Sequence, residues 1–189
     1  MSQEQEILDF WFGTGSDHGK ERKFWFIKDK EFDEEVQSRF LSTYEAATTG
    51  ELDHWKESPD SCLALILLLD QFPRNMFRNS PQAFATDEKV LNIAKYAVKQ
   101  GYDLQLLPVE RWFIYLPFEH SENLEHQRQA VALFETLQDD PNSASSIDYA
   151  KRHLEVIKRF GRFPHRNAIL GRKSTAEEEE FLQQPGSSF

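Results

Sequence analysis

The stretch SPDSCLALILLLDQF, residues 58–72, decides the fold. Ser58 followed by Pro59 is typical of a helix start, because serine can cap the first turn and proline fits its first position. The run from Cys62 to Leu69 is entirely apolar, which predicts a helix buried on every side and hence the centre of the fold. Since Pro73 removes a backbone donor, we expect this helix to end near the residue before it.

Helix start and stop signals recur on both sides of this segment, whereas good strand alternation is hard to find. We therefore predict an all-α fold, a single domain over residues 1–189, with about eight or nine helices joined by short loops. The expected helices run from a Ser2 cap to Phe12, from an Asp29 cap to Gly50, from a Thr86 cap to Gln100, from Pro108 to an interruption at Pro117, from a Ser121 cap through Leu137, from a Ser145–Asp148 capping box to Gly161, and from a Thr175–Glu178 capping box onward.

Composition limits the function classes. The net charge of −10 argues against broad nucleic-acid binding. The longest apolar run, Cys62 to Leu69, is too short to span a bilayer, and the polar, acidic start does not resemble a signal peptide. Cys62 is the one cysteine and cannot form an internal disulfide, so we expect a reducing, cytoplasmic location and a buried, structural thiol.

The charge is unevenly distributed along the chain. The segment from Lys151 to Lys173 carries eight Lys and Arg residues and a single acid, Glu155, which makes it +7 while the remainder is −17. One interpretation is a basic element folded against an acidic body, and the other is an anion site.

The first group of candidate residues follows the central helix: Asp70, Gln71, Arg74, Asn75 and Arg78. A carboxylate in the last turn of a helix is unfavourable beside the negative end of the dipole unless it is paired. Arg74 or Arg78 is the expected partner of Asp70. The pair could belong to a ligand site or could be a structural ion pair that fixes a helix corner.

The second group lies in a tight turn and contains Glu119, His120 and Glu122. A carboxylate beside an imidazole is the smallest acid/base unit that works near neutral pH, so these are the candidate catalytic residues. A hydrogen-bonded structural histidine is the alternative.

The third group lies in the basic segment and consists of Arg159, Arg162, His165, Arg166, Asn167 and Arg172, with His153 six residues before it. Arginine side chains near a helix start suit phosphate or carboxylate, although internal acids such as Asp70, Glu119 or Glu122 could use them equally well. No HxxxH or HExxH spacing and no phosphate-binding glycine loop occur, so we expect neither a metal nor a cofactor.

Five strings of the chain are long or chemically unusual: FWFG at 10–13, LLLDQFPRNMFR at 67–78, AFATDEKVL at 83–91, YLPFEHSEN at 115–123 and RFGRFPHRNAILGR at 159–172. Through these strings the chain resembles a known family, the bacterial domain-of-unknown-function family 924 (DUF924). The resemblance implies a tetratricopeptide-like, right-handed superhelical bundle of antiparallel helix pairs, although no 34-residue repeat signature is present. It implies no established activity and assigns no residue a role.

Three hypotheses about function remain. The first is a concave surface lined by Arg74, Arg78, Arg162, Arg166 and Arg172 that binds a small anionic molecule or an acidic peptide end. The second is an enzyme in which His120, oriented by Glu119 or Glu122, performs acid/base chemistry on an anionic substrate, as a hydrolase or lyase would, with charge stabilised by the arginines. The third is a helical interaction scaffold in which these residues form internal ion pairs. The sequence leaves the oligomeric state open.

Overall fold

The computed structural model describes residues 2–188, and within them the chain forms eight α-helices, short 3-10 turns and no β-strand. The prediction of an all-α fold is confirmed, while the tetratricopeptide-like superhelical arrangement stays a prediction. The helices are α1 Gln3–Phe12, α2 Lys30–Thr49, α3 Pro59–Met76, α4 Asp87–Gln100, α5 Pro108–Glu119, α6 Leu124–Glu135, α7 Ala144–Phe160 and α8 Ala176–Leu182.

Helix α3 is the centre of the fold, as the apolar run predicts. Every residue from Cys62 to Leu69 is at most 1% exposed. The helix packs against α1, α2, α4 and α5, which surround it. Burial of this surface, at about 25 cal/mol for each Å² of apolar area, is the main stabilising contribution that α3 makes. The central position of α3 also fixes where the polar residues at its C-terminal end can lie.

Helix α3 continues past Pro73 to Met76, so the predicted end at Phe72 is wrong. Proline lacks the N–H that would bond to the carbonyl of Leu69 one turn earlier. The hydroxyl of Thr86 donates to that carbonyl instead, at 2.6 Å, and both residues are buried. Because a donor from outside replaces the missing bond, the helix tolerates the proline, and Asp70 and Arg74 lie one turn apart on the same helix.

The same correction applies to α5, which continues through Pro117 to Glu119 rather than being interrupted there. His120 is therefore the residue that directly follows the helix. The protein uses proline twice inside a buried helix, near its C-terminal end in both cases.

The predicted starts hold for six helices, among them α5, which begins at Pro108 as expected. Ser2, Asp29 and Ser58 accept backbone N–H groups at the starts of α1, α2 and α3, the bounds of α4 are as predicted, and Thr175 with Glu178 forms the expected capping box of α8. Thr86 precedes α4 but makes no side-chain cap bond, because its hydroxyl is used by Leu69.

Two caps differ from the prediction. Asn123, not Ser121, caps α6, and its side chain accepts the N–H groups of Glu125 and His126. Ser121 instead accepts the N–H of Asn123, because it lies two residues too early to be the cap. Helix α7 begins at Ala144 with no side-chain cap bond, and the Ser145–Asp148 box does not form because both residues already lie within the helix.

Within residues 2–188, no helix combines the length and the apolar character that a membrane crossing requires. Cys62 is fully buried as expected, and burial raises the pKa of its thiol to about 12. A thiol held neutral in this way is unreactive, which supports a structural role.

Candidate functional site

The carboxylate of Asp70 is the innermost polar group of the site and is 1% exposed. It accepts hydrogen bonds from His120 Nδ1 at 2.8 Å, Gln71 Nε2 at 2.6 Å and Arg74 Nη2 at 3.3 Å. Burial alone would favour the neutral acid, but the contacts with His120 and Arg74 outweigh it and lower the pKa of Asp70 to about 2. Asp70 is therefore a buried, charged group that is held by donors from α3 and from the residue after α5.

His120 is oriented by Asp70, whereas the sequence suggested Glu119 or Glu122. An ionised carboxylate can only accept, so we assign the hydrogen of the neutral imidazole to Nδ1, which leaves the lone pair on Nε2. Burial, followed by the nearby charge of Arg74, lowers the pKa of His120 below its usual value. The side chain keeps 14% exposure, so His120 is a neutral base at the edge of the site.

Asp87, the first residue of α4, joins two arginines from distant parts of the chain. Arg74 Nη2 donates to its Oδ1 at 2.9 Å, and Arg166 Nη1 donates to its Oδ2 at 3.5 Å. Arg74 comes from α3, and Arg166 comes from the 3-10 turn Pro164–Arg166 that follows α7. The three segments predicted from sequence thus meet in one group, which we call the Asp70–Asp87 cluster: Asp70, Arg74, Asp87, His120, His165 and Arg166.

Arg166 is the least satisfied charged group of the cluster, although it is only 6% exposed. Its guanidinium lies over the ring of Phe84 at 4.7 Å and over the ring of Phe163 at 4.6 Å. Its only hydrogen bond to a described residue is the long one to Asp87, and its buried Nε has no acceptor among residues 2–188. Burial and the charge of Arg74 lower the pKa of Arg166 to about 10, so it remains a cation near neutral pH.

His165 adds a second neutral imidazole beside Arg166. Burial, with further contributions from the charges of Arg166, His153 and Arg74, lowers its pKa to about 3. At neutral pH the cluster therefore holds two carboxylates, two guanidiniums and two uncharged histidines. Arg74 is shared by both carboxylates, whereas Arg166 touches one of them weakly.

Asn75 and Arg78 lie on the other side of α3 and do not reach the cluster. Asn75 Nδ2 donates to Asp33 Oδ1 at 2.8 Å, and Arg78 binds both oxygens of the same carboxylate. Since Asp33 lies in α2, these two candidate ligand residues tie α2 to the C-terminal end of α3.

Three further candidates, Arg162, Asn167 and Arg172, lie around the C-terminal helix. Arg162 donates to both oxygens of Glu178 at 2.6 and 2.7 Å, and Asn167 Nδ2 donates to the same carboxylate at 3.2 Å. Arg172 donates to Asn167 and, through two nitrogens, to Glu122. Each guanidinium here has its own carboxylate, in contrast to Arg166.

The two glutamates of the predicted catalytic group are used elsewhere. Glu119 faces His153 across a 3.0 Å contact between two buried side chains. Burial opposes the charge of Glu122, but hydrogen bonds from Arg172 and from the N–H of Phe163 outweigh it and lower the pKa of Glu122. Both carboxylates therefore hold the basic segment in place and neither contacts His120.

A contact between a serine and a histidine near the site resembles a serine nucleophile with its base, but its hydrogen bond runs in the wrong direction. Ser121 Oγ lies 2.8 Å from His126 Nδ1, and Lys95 Nζ lies 2.8 Å from His126 Nε2. An ammonium can only donate, so the neutral ring accepts at Nε2 and carries its hydrogen on Nδ1. The ring then donates to Ser121 and cannot remove its proton.

The cluster does not have the ligand set of a metal centre. Within the described range, no three His, Cys, Asp or Glu side chains are grouped so that they could hold a metal ion. Two surface grooves of about 480 and 340 Å³ lie away from the cluster, one beside Asp53 and Tyr96 and the other beside Arg152 and Phe181.

Residues 7–186 match the family described as bacterial protein of unknown function (DUF924). The solved structure of the protein of unknown function ATU0120 from Agrobacterium tumefaciens is similar, with a TM-score of 0.85 and 41% identity over 95% of this chain and 96% of that chain. No functionally curated protein matches the chain.

Proposed function

Because this chain belongs to the bacterial DUF924 family, whose description assigns no activity, we propose from the geometry of the site that the protein binds a small anion at Arg166. The observation that carries the proposal is the state of that side chain, which is buried, charged and provided with one hydrogen bond of 3.5 Å. A buried donor without an acceptor costs about 1–3 kcal/mol, and more when it is charged, so an anion that accepts from it gains affinity.

The rings of Phe84 and Phe163 support the proposal because they fix the plane of the guanidinium. Because the N–H groups of a guanidinium lie in its plane, Arg166 can donate only along its edges. Nη1 points to Asp87, which leaves Nε and Nη2 as a fork suited to two parallel hydrogen bonds. Arg78, Arg162 and Arg172, which the sequence suggested as members of the site, have carboxylates of their own and are not part of this proposal.

The experiment is an anion screen by thermal unfolding at constant ionic strength, with chloride as the reference. At ten times its dissociation constant, a ligand stabilises the folded state by about 1.4 kcal/mol, which raises Tm by about 3–6 °C for a chain of this size. We expect such a rise for at least one small anion and its loss in Arg166→Lys, which keeps the charge and removes the fork. Arg159→Lys is the matched control, since Arg159 pairs with Glu177 at the surface. A screen without any rise would contradict the proposal.

A second candidate function is acid/base catalysis by His120, and the observation that favours it is the 2.8 Å contact with Asp70. This contact directs the lone pair of Nε2 away from Asp70, which is the arrangement that a general base requires. A panel of chromogenic carboxylic and phosphate esters tests it. Turnover that disappears in His120→Gln, while Arg166-dependent anion binding persists, would favour an enzyme. Anion binding without turnover across the panel would favour a binding protein.

A further inference from the structure

We infer that the ligand of Arg166 is a monoanionic carboxylate rather than a tetrahedral or doubly charged anion. This inference rests on the proposed function, because it names the ligand class of the same site. Two independent features of the cluster lead to it, namely the shape of the open guanidinium edge and the balance of buried charge.

The shape argument comes from the two aromatic rings. The Arg166 guanidinium lies over the rings of Phe84 and Phe163, with distances of 4.7 and 4.6 Å from Cζ to the ring centres. The rings supply no hydrogen-bond donor, so the donors at this position are those of Arg166, and they lie in the plane of its guanidinium. A carboxylate places both oxygens in that plane and pairs with Nε and Nη2 through parallel bonds. A sulfate or phosphate can pair with the same two nitrogens but also has oxygens outside the plane, and the rings of Phe84 and Phe163 offer no donor to them.

The charge argument comes from the neighbours of Arg166. The positive charges of Arg74 and Arg166 are already matched by the negative charges of Asp70 and Asp87, while His120 and His165 stay neutral at neutral pH. The desolvation penalty of an ion grows with the square of its charge, whereas its attraction to Arg166 grows only in proportion. A monoanion can pair with Arg166, the one weakly compensated cation of the cluster. The second charge of a dianion would have no uncompensated cation in the cluster to pair with.

A set of four anions separates shape from charge. Acetate is planar and singly charged, oxalate is planar and doubly charged, methanesulfonate is tetrahedral and singly charged, and sulfate is tetrahedral and doubly charged. Each is titrated at pH 7 and constant ionic strength into ¹⁵N-labelled protein, and the Nε–H resonances of the arginines are followed by NMR. The Arg166 signal is identified by its absence in Arg166→Lys, and Arg159→Lys again serves as the matched control.

We expect acetate to shift the Arg166 Nε–H signal in a saturable manner and to bind about tenfold more tightly than the other three anions. Equal binding of acetate and methanesulfonate would overturn the carboxylate assignment. Tighter binding of sulfate or oxalate that still depends on Arg166 would overturn the inference and leave the anion site in place. Absence of any Arg166-dependent shift would overturn the proposed function itself.

The variant Asp87→Asn provides a second test that does not depend on whether Arg166→Lys folds. Asp87→Asn removes one of the two compensating charges while keeping the size of the side chain. If charge balance excludes dianions, this variant should improve sulfate binding about tenfold relative to acetate binding. An unchanged ratio between the two anions in Asp87→Asn would contradict the charge argument.

Discussion

The variant Asp70→Asn tests whether the buried carboxylate at the centre of the cluster is charged. The structure lowers its pKa from the usual 3.8 to about 2, despite complete burial. At roughly 1.4 kcal/mol for each tenfold change in proton affinity, this difference corresponds to about 2 kcal/mol of folding free energy at pH 7. This figure already includes the attraction between Asp70 and Arg74, which is one cause of the lowered pKa, so we expect a total loss of about 2–3 kcal/mol.

The pH dependence of this loss has a definite sign. The pKa of Asp70 is lower in the folded than in the unfolded state, so its contribution is complete above about pH 5 and declines as the pH falls through 3.8 toward 2. At pH 3 about half of this contribution remains. The difference in unfolding free energy between wild type and Asp70→Asn should therefore shrink by about 1 kcal/mol between pH 7 and pH 3.

The assay is urea denaturation followed by circular dichroism at pH 7, 5, 4 and 3, with the exposed Asp139→Asn as control. Comparing two chains that differ at one carboxylate cancels the acid sensitivity that the other acidic residues give to both. A difference that stays constant from pH 7 to pH 3 would refute the assignment of Asp70 as an ionised partner of Arg74 and His120. If Asp70 were not ionised, the assignment of the His120 hydrogen to Nδ1 would also lose its basis, because that assignment requires a carboxylate that can only accept.

Three further predictions concern parts of the fold that support the site. Thr86→Val should lower the unfolding free energy by about 1–3 kcal/mol in urea denaturation, because a buried carbonyl loses its donor, while Thr48→Val at the surface should change it by less than about 0.5 kcal/mol. Glu178→Ala should cost about 1–3 kcal/mol in the same assay, because Arg162, the buried Asn167 and the backbone N–H of Thr175 lose their shared acceptor, and the exposed Glu179→Ala should be nearly neutral. Cys62 should react with a thiol reagent at pH 8 only after denaturation, and rapid labelling of the folded protein would contradict its burial.

The fold class could be predicted because local signals in this chain agree with its packing. Ser58, Pro59 and the apolar run to Leu69 all specify one buried helix, and the structure places it at the centre. The predicted helix end before Pro73 was wrong because a local sequence pattern does not show which distant side chains will pack against the helix. Whether a helix continues through proline depends on a donor for the carbonyl one turn back, and that donor is the side chain of Thr86, seventeen positions away from Leu69.

The site could be predicted only in part, for a related reason. Residue chemistry identified Asp70, Arg74, His120, His165 and Arg166, and it gave Arg74 as a partner of Asp70, but it did not identify the partners of His120 and Arg166. Asp87 was missed because an acid at a helix start has a sufficient local explanation in the helix dipole. Phe84 was missed because an isolated aromatic residue carries no signal of the cation that it will contact.

The assignment of Glu119 or Glu122 to His120 failed for a geometric reason. Neighbours in sequence at the end of a helix point in different directions, since successive side chains are about 100° apart. Glu119 is the last residue of α5 and faces His153 on α7, whereas His120 follows the helix and turns toward α3. The partner of a histidine at a helix end is thus set by the helix that packs against it, not by the acids beside it in the chain.

The pair Phe-Pro occurs twice near the cluster, at Phe72-Pro73 and at Phe163-Pro164, and the two copies contribute to it through different local structures. Pro73 lies within α3, and its effect is to require a donor from Thr86, which holds the start of α4 and therefore Asp87 against α3. Pro164 begins a separate turn and places Arg166 two residues later. One proline thus positions the carboxylate and the other positions the guanidinium. This difference also explains why Arg74 pairs with two carboxylates and Arg166 with one, because Asp87 lies 2.9 Å from Arg74 and reaches Arg166 only at 3.5 Å. An anion that accepts from Nε and Nη2 of Arg166 would leave Asp87 in contact with both arginines, so ligand binding and the ion pairs do not compete.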